Sequence, residues 1–71
     1  MDQWILVQFP QLRGVLVDDT PSGQTNQPIL VQLGTHTVKL DGPADYSPAS
    51  ITKQVFNTTK AKPMLFVFTQ P

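Results

Sequence analysis

A chain of 71 residues forms one domain at most, and its five Lys/Arg balance five acidic residues, all of them Asp, for a net charge of zero. At this length about 60% of the unfolded chain's surface can be buried, and with no Cys and a single His neither a disulfide nor a structural zinc site can reinforce the core. The neutral balance, with no basic cluster, argues against the basic surface that nucleic acid or an anionic membrane would require. Apolar residues make up 39% of the chain and charged residues 14%. Gln and Thr take the polar positions while Glu is absent, a composition that favours strands over helices.

Trp4 to Phe9 is an apolar run with almost no polar alternation, predicting a first strand covered on both faces and ended by Pro10. After a connector ending at Gly14, Val15-Leu16-Val17 predicts a second strand. Asp18 to Gly23 packs turn formers together, with Asp capping its own backbone, Pro21 fixing φ and Gly23 free to take φ > 0, so the chain is expected to bend back there. Ile29 to Leu33 follows as a strand with Ile29, Val31 and Leu33 on one face. Beyond Gly34, polar Thr35, Thr37 and Lys39 alternate with His36, Val38 and Leu40, the pattern of a half-buried strand. Asp41-Gly42-Pro43 predicts a turn, and residues 44–48 a loop carrying Tyr46. Ser50 to Phe56 predicts a weaker strand with Ile51, Lys53 and Val55 on one face, and Met64 to Thr69 closes the chain as a last apolar strand. With no 3.6-residue period, this spacing predicts an all-β fold: a small antiparallel β-sandwich of about six or seven strands, a single domain over residues 1–71.

The order of these elements resembles the PEGA domain family. Val17-Asp18 carries the end of its first strand, Gly23-Gln24-Thr25 its Gly-x-Thr step, Gly34-Thr35-His36-Thr37-Val38 its Gly-x-His-x-Val strand, and Tyr46 its closing Tyr. The chain departs from the pattern at Asp19 and Asp45, where the family has Gly, and at Asn26, where it has Pro. The resemblance implies a β-sandwich-like fold in an accessory module, commonly extracytoplasmic, and brings no enzymatic activity with it.

His36 is the one candidate general base or ligand, but its place beside Val38 and Leu40 predicts an inward or edge-lying ring bonded to a backbone carbonyl or a turn side chain, and no nucleophile motif accompanies it. Asp18 and Asp19 are adjacent and so point to opposite faces, which suits turn capping rather than paired carboxylate chemistry. Asp41 and Asp45 lack the spacing of a calcium loop. Trp4, Phe9, Phe56, Phe66 and Phe68 are expected in the core. Tyr46, in a loop beside Asp45 and Ser47, is the aromatic best placed to contact a ligand, or else folds over the core edge. Asn57-Thr58-Thr59 matches a glycosylation acceptor, and Lys53, Lys60 and Lys62 read as solvated, edge-protecting charges. Asp18, Gly23, Gly34 and Gly42 are expected to hold turns.

These residues predict a non-catalytic binding or structural module, without cofactor or metal, that contacts a protein or glycan partner through a sheet edge or loop end. The alternatives are a small enzyme-like or ligand-binding protein centred on His36 and Tyr46, and an oligonucleotide-binding barrel. Neither a secretory signal nor a membrane-spanning segment is expected, and the compartment stays open. Because the two terminal runs carry no charge to guard an edge, a monomer able to accept an added strand is favoured, with an edge-strand dimer as its variant.

Overall fold

The computed structural model describes residues 2–70. Seven strands follow one another: β1 (Asp2–Gln8), β2 (Gly14–Val17), β3 (Thr20–Gln24), β4 (Pro28–Gln32), β5 (Gly34–Leu40), β6 (Ile51–Val55) and β7 (Met64–Val67). They form two sheets, β4-β1-β7 and β3-β2-β5-β6, packed face to face as a small β-sandwich. Among the described residues there is no helix, and so none long and apolar enough to cross a membrane.

The core lies between the sheets. Ile5, Val7, Phe66 and Phe68 from the three-stranded sheet meet Val15, Val38 and Val55 from the four-stranded one, and all are buried. The alternation read in β5 holds: Val38 and Leu40 are buried, whereas Thr35 is exposed and Lys39 half-buried. Burying this much branched and aromatic surface is what drives so short a chain to fold.

Four features depart from the sequence reading. Residues 18–23 are not one turn: Asp18 and Asp19, both at positive φ (52° and 66°), make a two-residue hairpin turn, and β3 begins at once. Positive φ at both central positions matches the right-handed twist of the flanking strands, and Asp tolerates it better than most residues. Pro21 sits in β3 because an edge strand has no outward ladder for it to break. Second, β1 is covered on one face only. Gln3, Ile5 and Val7 are buried, but Trp4 and Leu6 on the other face are half-buried, because no second layer packs on the far side of that sheet and only the Lys60 side chain lies over the Trp4 ring. Third, β7 runs parallel to β1, in a fold otherwise paired antiparallel. The long return through β2 to β6 lets the last strand enter beside the first in the same direction. Fourth, Leu33 and Phe56, expected inside, are 52% and 50% exposed, each lying one residue beyond the end of its strand.

Candidate functional site

His36 projects from the inner-face register of β5, at the end where β5 leaves β4. Its Nδ1 lies 2.6 Å from Asp18 Oδ2 and its Nε2 lies 2.6 Å from the Gln32 carbonyl. Asp18 is held in turn by the Thr37 amide, which donates to Oδ1 at 2.9 Å, and by its own amide, which donates to the Thr37 carbonyl. Both ring nitrogens therefore face acceptors, which the doubly protonated imidazolium satisfies and neither neutral tautomer can. Burial pushes the His36 pKa down, but the Asp18 carboxylate and the Gln32 carbonyl outweigh it and the net shift is upward. Asp18 is held below the ordinary carboxylate range, chiefly by the Thr37 amide and then by His36. This geometry ties the β2–β3 turn to the edge of β4, and no ring nitrogen is left to take a proton from a substrate.

Tyr46 lies at the opposite end of the sandwich. Its ring packs edge-on against Phe68 (centroids 5.5 Å) and Phe9 (6.3 Å), and its hydroxyl donates to the Leu40 carbonyl at 3.0 Å. The ring folds over the core edge, with both its apolar body and its polar tip engaged inside the domain. Beside it Arg13 forms a bidentate pair with Asp45, donates to the Pro43 carbonyl and lies over the Phe9 ring. The Arg13 guanidinium lowers the Asp45 pKa. His36 and Tyr46 are thus set at separate ends, and the fold does not bring them into one site.

Three polar groups invisible as features of the sequence are integral to the interior. Thr25, fully buried, donates from Oγ1 to the Gln11 carbonyl and accepts from the Arg13 amide. Buried Gln3 accepts from the Thr58 amide and hydroxyl through Oε1, while Thr58 Oγ1 accepts from the Trp4 amide. These bonds floor a groove of about 580 Å³ between Leu33 and Phe56, which Asp2, Asn57 and Thr59 also line. Among the described residues no group of three His or Asp side chains is placed to hold a metal ion.

The two outer faces differ. On the four-stranded sheet Thr35, Thr37 and Lys39 of β5 and Thr52 and Gln54 of β6 point outward, with the Thr37 and Thr52 hydroxyls 2.9 Å apart and Lys39 paired with Asp19. On the three-stranded sheet the outward residues are Pro28, Leu30 and Gln32 of β4, Asp2, Trp4, Leu6 and Gln8 of β1, and Leu65 and Val67 of β7. Leu30 pairs with Trp4 and Leu6 with Leu65 across the ladders, so these side chains form one continuous apolar band. Leu30, Leu65 and Val67 are 49%, 44% and 48% exposed. The band runs into a shallow groove of about 440 Å³ lined by Leu6, Gln8, Pro10, Asn26 and Val67. The signal for this face lies in the sequence as strands apolar at both parities, WILV and MLFV, and as Leu30 standing between two inward residues.

Every sheet edge, by contrast, is blunted. β3 carries Pro21 and an extra, unpaired residue at Ser22. β4 opens on Pro28, which has no amide hydrogen, and its Gln32 carbonyl is taken by His36. β6 has Lys53 at its centre. That Lys53 crosses to β7 and donates to the Leu65 carbonyl at 2.7 Å, while Thr69, just past β7, bridges Ser47. Inward charges, prolines and bulges are the devices by which sheet proteins avoid strand addition.

Searches of protein-family models, curated proteins and solved structures found nothing that matches this chain.

Proposed function

We propose that this protein is a non-catalytic binding module that docks a protein partner through the outer face of β4-β1-β7. The observation that carries the reading is the contrast between its two outer faces. Two sheets meet the same solvent, yet one presents Thr, Lys and Gln and the other a central apolar band of Leu30, Trp4, Leu6, Leu65 and Val67, with Asp2, Gln32 and Gln8 at its ends. A continuous apolar patch of this kind on a small domain marks a surface that is covered in use. The blunted edges move the contact from a sheet edge to the sheet face.

A protein surface suits the band better than a glycan, because sugar recognition needs an open aromatic ring ringed by hydrogen-bonding groups, and Trp4 is half-buried with Lys60 lying over its ring at 5.5 Å. Nucleic acid is disfavoured on the same kind of ground: Arg13, Lys39 and Lys53 already serve Asp45, Asp19 and the Leu65 carbonyl. The resemblance to PEGA domains supports an accessory, non-enzymatic role.

Photo-crosslinking residues introduced at 30 and 65, compared with 35 and 54 on the polar face, test the reading in cells producing the chain. The expected result is a discrete adduct, with its partner peptide identified by mass spectrometry, from the first pair and none from the second. Equal labelling from both faces, or none from either, would end it.

A further inference from the structure

We propose that the groove between Leu33 and Phe56 is a binding site for a neutral saccharide. It lies at one end of the sandwich, none of the residues of the Leu30–Leu65 band lines it, and it does not depend on what that band docks. Strand pairing assembles it. Leu33 is the single residue between β4 and β5, the Gly34–Val55 pair sets it beside Phe56, and the Asp2–Gln32 pair brings the start of β1 alongside. Leu33 and Phe56 are each about half exposed and supply apolar walls. Gln3, only 4% exposed, supplies a fixed donor: the Thr58 amide and hydroxyl both donate to its Oε1, at 3.0 and 2.7 Å, which leaves Nε2 without a partner among the described residues. Since no enclosed side-chain nitrogen or oxygen there lacks a partner, Nε2 reaches the solvent of the groove. A ligand that accepts from it meets a side chain already ordered by the fold.

The groups around the groove select the ligand. Asp2 adds a carboxylate, which only accepts, and exposed Asn57 adds a side-chain amide that both donates and accepts. Among the described residues no Lys, Arg or His lines the groove, and Asp2 repels anions, so phosphates and sugar acids are disfavoured. A single carboxylate is too few oxygen ligands for a divalent cation. A hydrocarbon would strip water from Gln3 and Asp2 and give them no partner. An extended peptide needs a free strand ladder, and the bordering Gln32 carbonyl is already taken by His36. A pyranose fits all of these conditions. Its C–H face packs on Phe56 and Leu33, one hydroxyl accepts from Gln3 Nε2, and a neighbouring hydroxyl donates to Asp2. The volume of about 580 Å³ falls within the range of small-ligand sites.

An amide-resolved NMR titration of the full, isotopically labelled chain tests this. The probes are methyl glucoside, methyl galactoside and N-acetylglucosamine with their disaccharides, set against glucuronate and a capped tri-alanine peptide. The neutral sugars are expected to move the side-chain amide signals of Gln3 and Asn57 and the backbone signals of residues 56–59, saturating on the order of millimolar for the better ones. Glucuronate should bind at least about fivefold more weakly, and Asp2→Asn should narrow that gap. Phe56→Ala and Asn57→Asp, both at exposed positions, should each weaken the sugars at least about fivefold. Gln3→Glu keeps the acceptor for Thr58, removes the donors and should abolish binding; should it unfold the domain, the two exposed variants decide the matter. Leu65→Gln, on the band, should change nothing. The proposal is overturned if none of the neutral sugars moves these signals at about 100 mM, or if the shifts persist in Phe56→Ala and Asn57→Asp. Shifts from the peptide alone overturn it too and give the groove to a protein segment.

Discussion

The imidazole of His36 and the carboxylate of Asp18 meet at 2.6 Å, and through the second ring nitrogen the same contact reaches the Gln32 carbonyl on the edge of β4. One side chain thus joins the β2–β3 turn, β5 and β4. The His36 side chain keeps only 14% of its exposure, whereas Asp18 keeps 51%, so the pair is worth less than a fully buried one.

From that contact follows a pH profile. The His36 pKa is raised in the fold, so its contribution is fully present below its ordinary value of about 6.5 and is lost as pH rises through the folded value. The Asp18 pKa is lowered, so its contribution is present above about 3.8 and is lost as pH falls through the folded value. Urea midpoints should therefore be highest between those limits and decline on either side. His36→Gln should cost about 1 kcal/mol near pH 6 and flatten the alkaline decline. Asp18→Asn, which keeps a residue tolerant of φ > 0, should lower the His36 pKa in an NMR titration. An unchanged His36 titration in Asp18→Asn would show that the contact contributes nothing.

Gly23 and Gly34 resist substitution for different reasons. Gly34 has φ of +134° with open space around it, so Gly34→Val is expected to cost roughly 1–3 kcal/mol through backbone strain alone. At Gly23 a Cβ would come within 2.9 Å of the buried Ile29 side chain, where β3 crosses β4, and Gly23→Ala should cost roughly 1–3 kcal/mol through overpacking. Trimming Ile29 to Val should recover part of the second loss and none of the first. Chemical denaturation of the single and double variants decides between the two causes.

Tyr46 permits a sharper test of its role at the core edge. Tyr46→Phe removes the bond to the Leu40 carbonyl and should cost about 0.5–1.5 kcal/mol. Tyr46→Ala also removes the edge-on contacts with Phe9 and Phe68 and should cost about 3 kcal/mol or more. Equal melting temperatures for the wild type and Tyr46→Ala would mean that the ring is not part of the core.

Lys53 guards an edge to which it does not belong. Phe68 donates its amide to the Gln8 carbonyl, so by alternation Leu65 and Val67 turn their peptide groups away from β1, and the Lys53 ammonium occupies the Leu65 carbonyl. Lys53→Thr keeps a good strand former and removes the guard. The variant is expected to stay folded at room temperature but to aggregate with a shorter lag on mild heating, followed by light scattering. Identical lag times would show that the edge needs no such protection.

The sequence by itself determined the class of fold and most of its elements. Alternation in β5, the apolar runs of β1 and β7, and the turn residues at Asp18, Gly34 and Asp41-Gly42-Pro43 are local signals, readable because side-chain period and turn chemistry are properties of neighbouring residues. The two acceptors of His36, a turn side chain and a backbone carbonyl, were legible as kinds of partner but not as Asp18 and Gln32. Strand β3 was hidden, since Pro21 and Gly23 argue against a strand everywhere except at an edge, and being an edge is a property of the sheet. The parallel entry of β7 beside β1, the buried bonds of Thr25 and Gln3, and the crossing of Lys53 to β7 all join residues distant along the chain. Only the tertiary structure could decide which side of the doubly apolar strands faces the core. With one layer packed against β4-β1-β7 and none on its far side, Ile5, Val7 and Phe66 went inward, and Trp4, Leu6, Leu65 and Val67 were left as a surface.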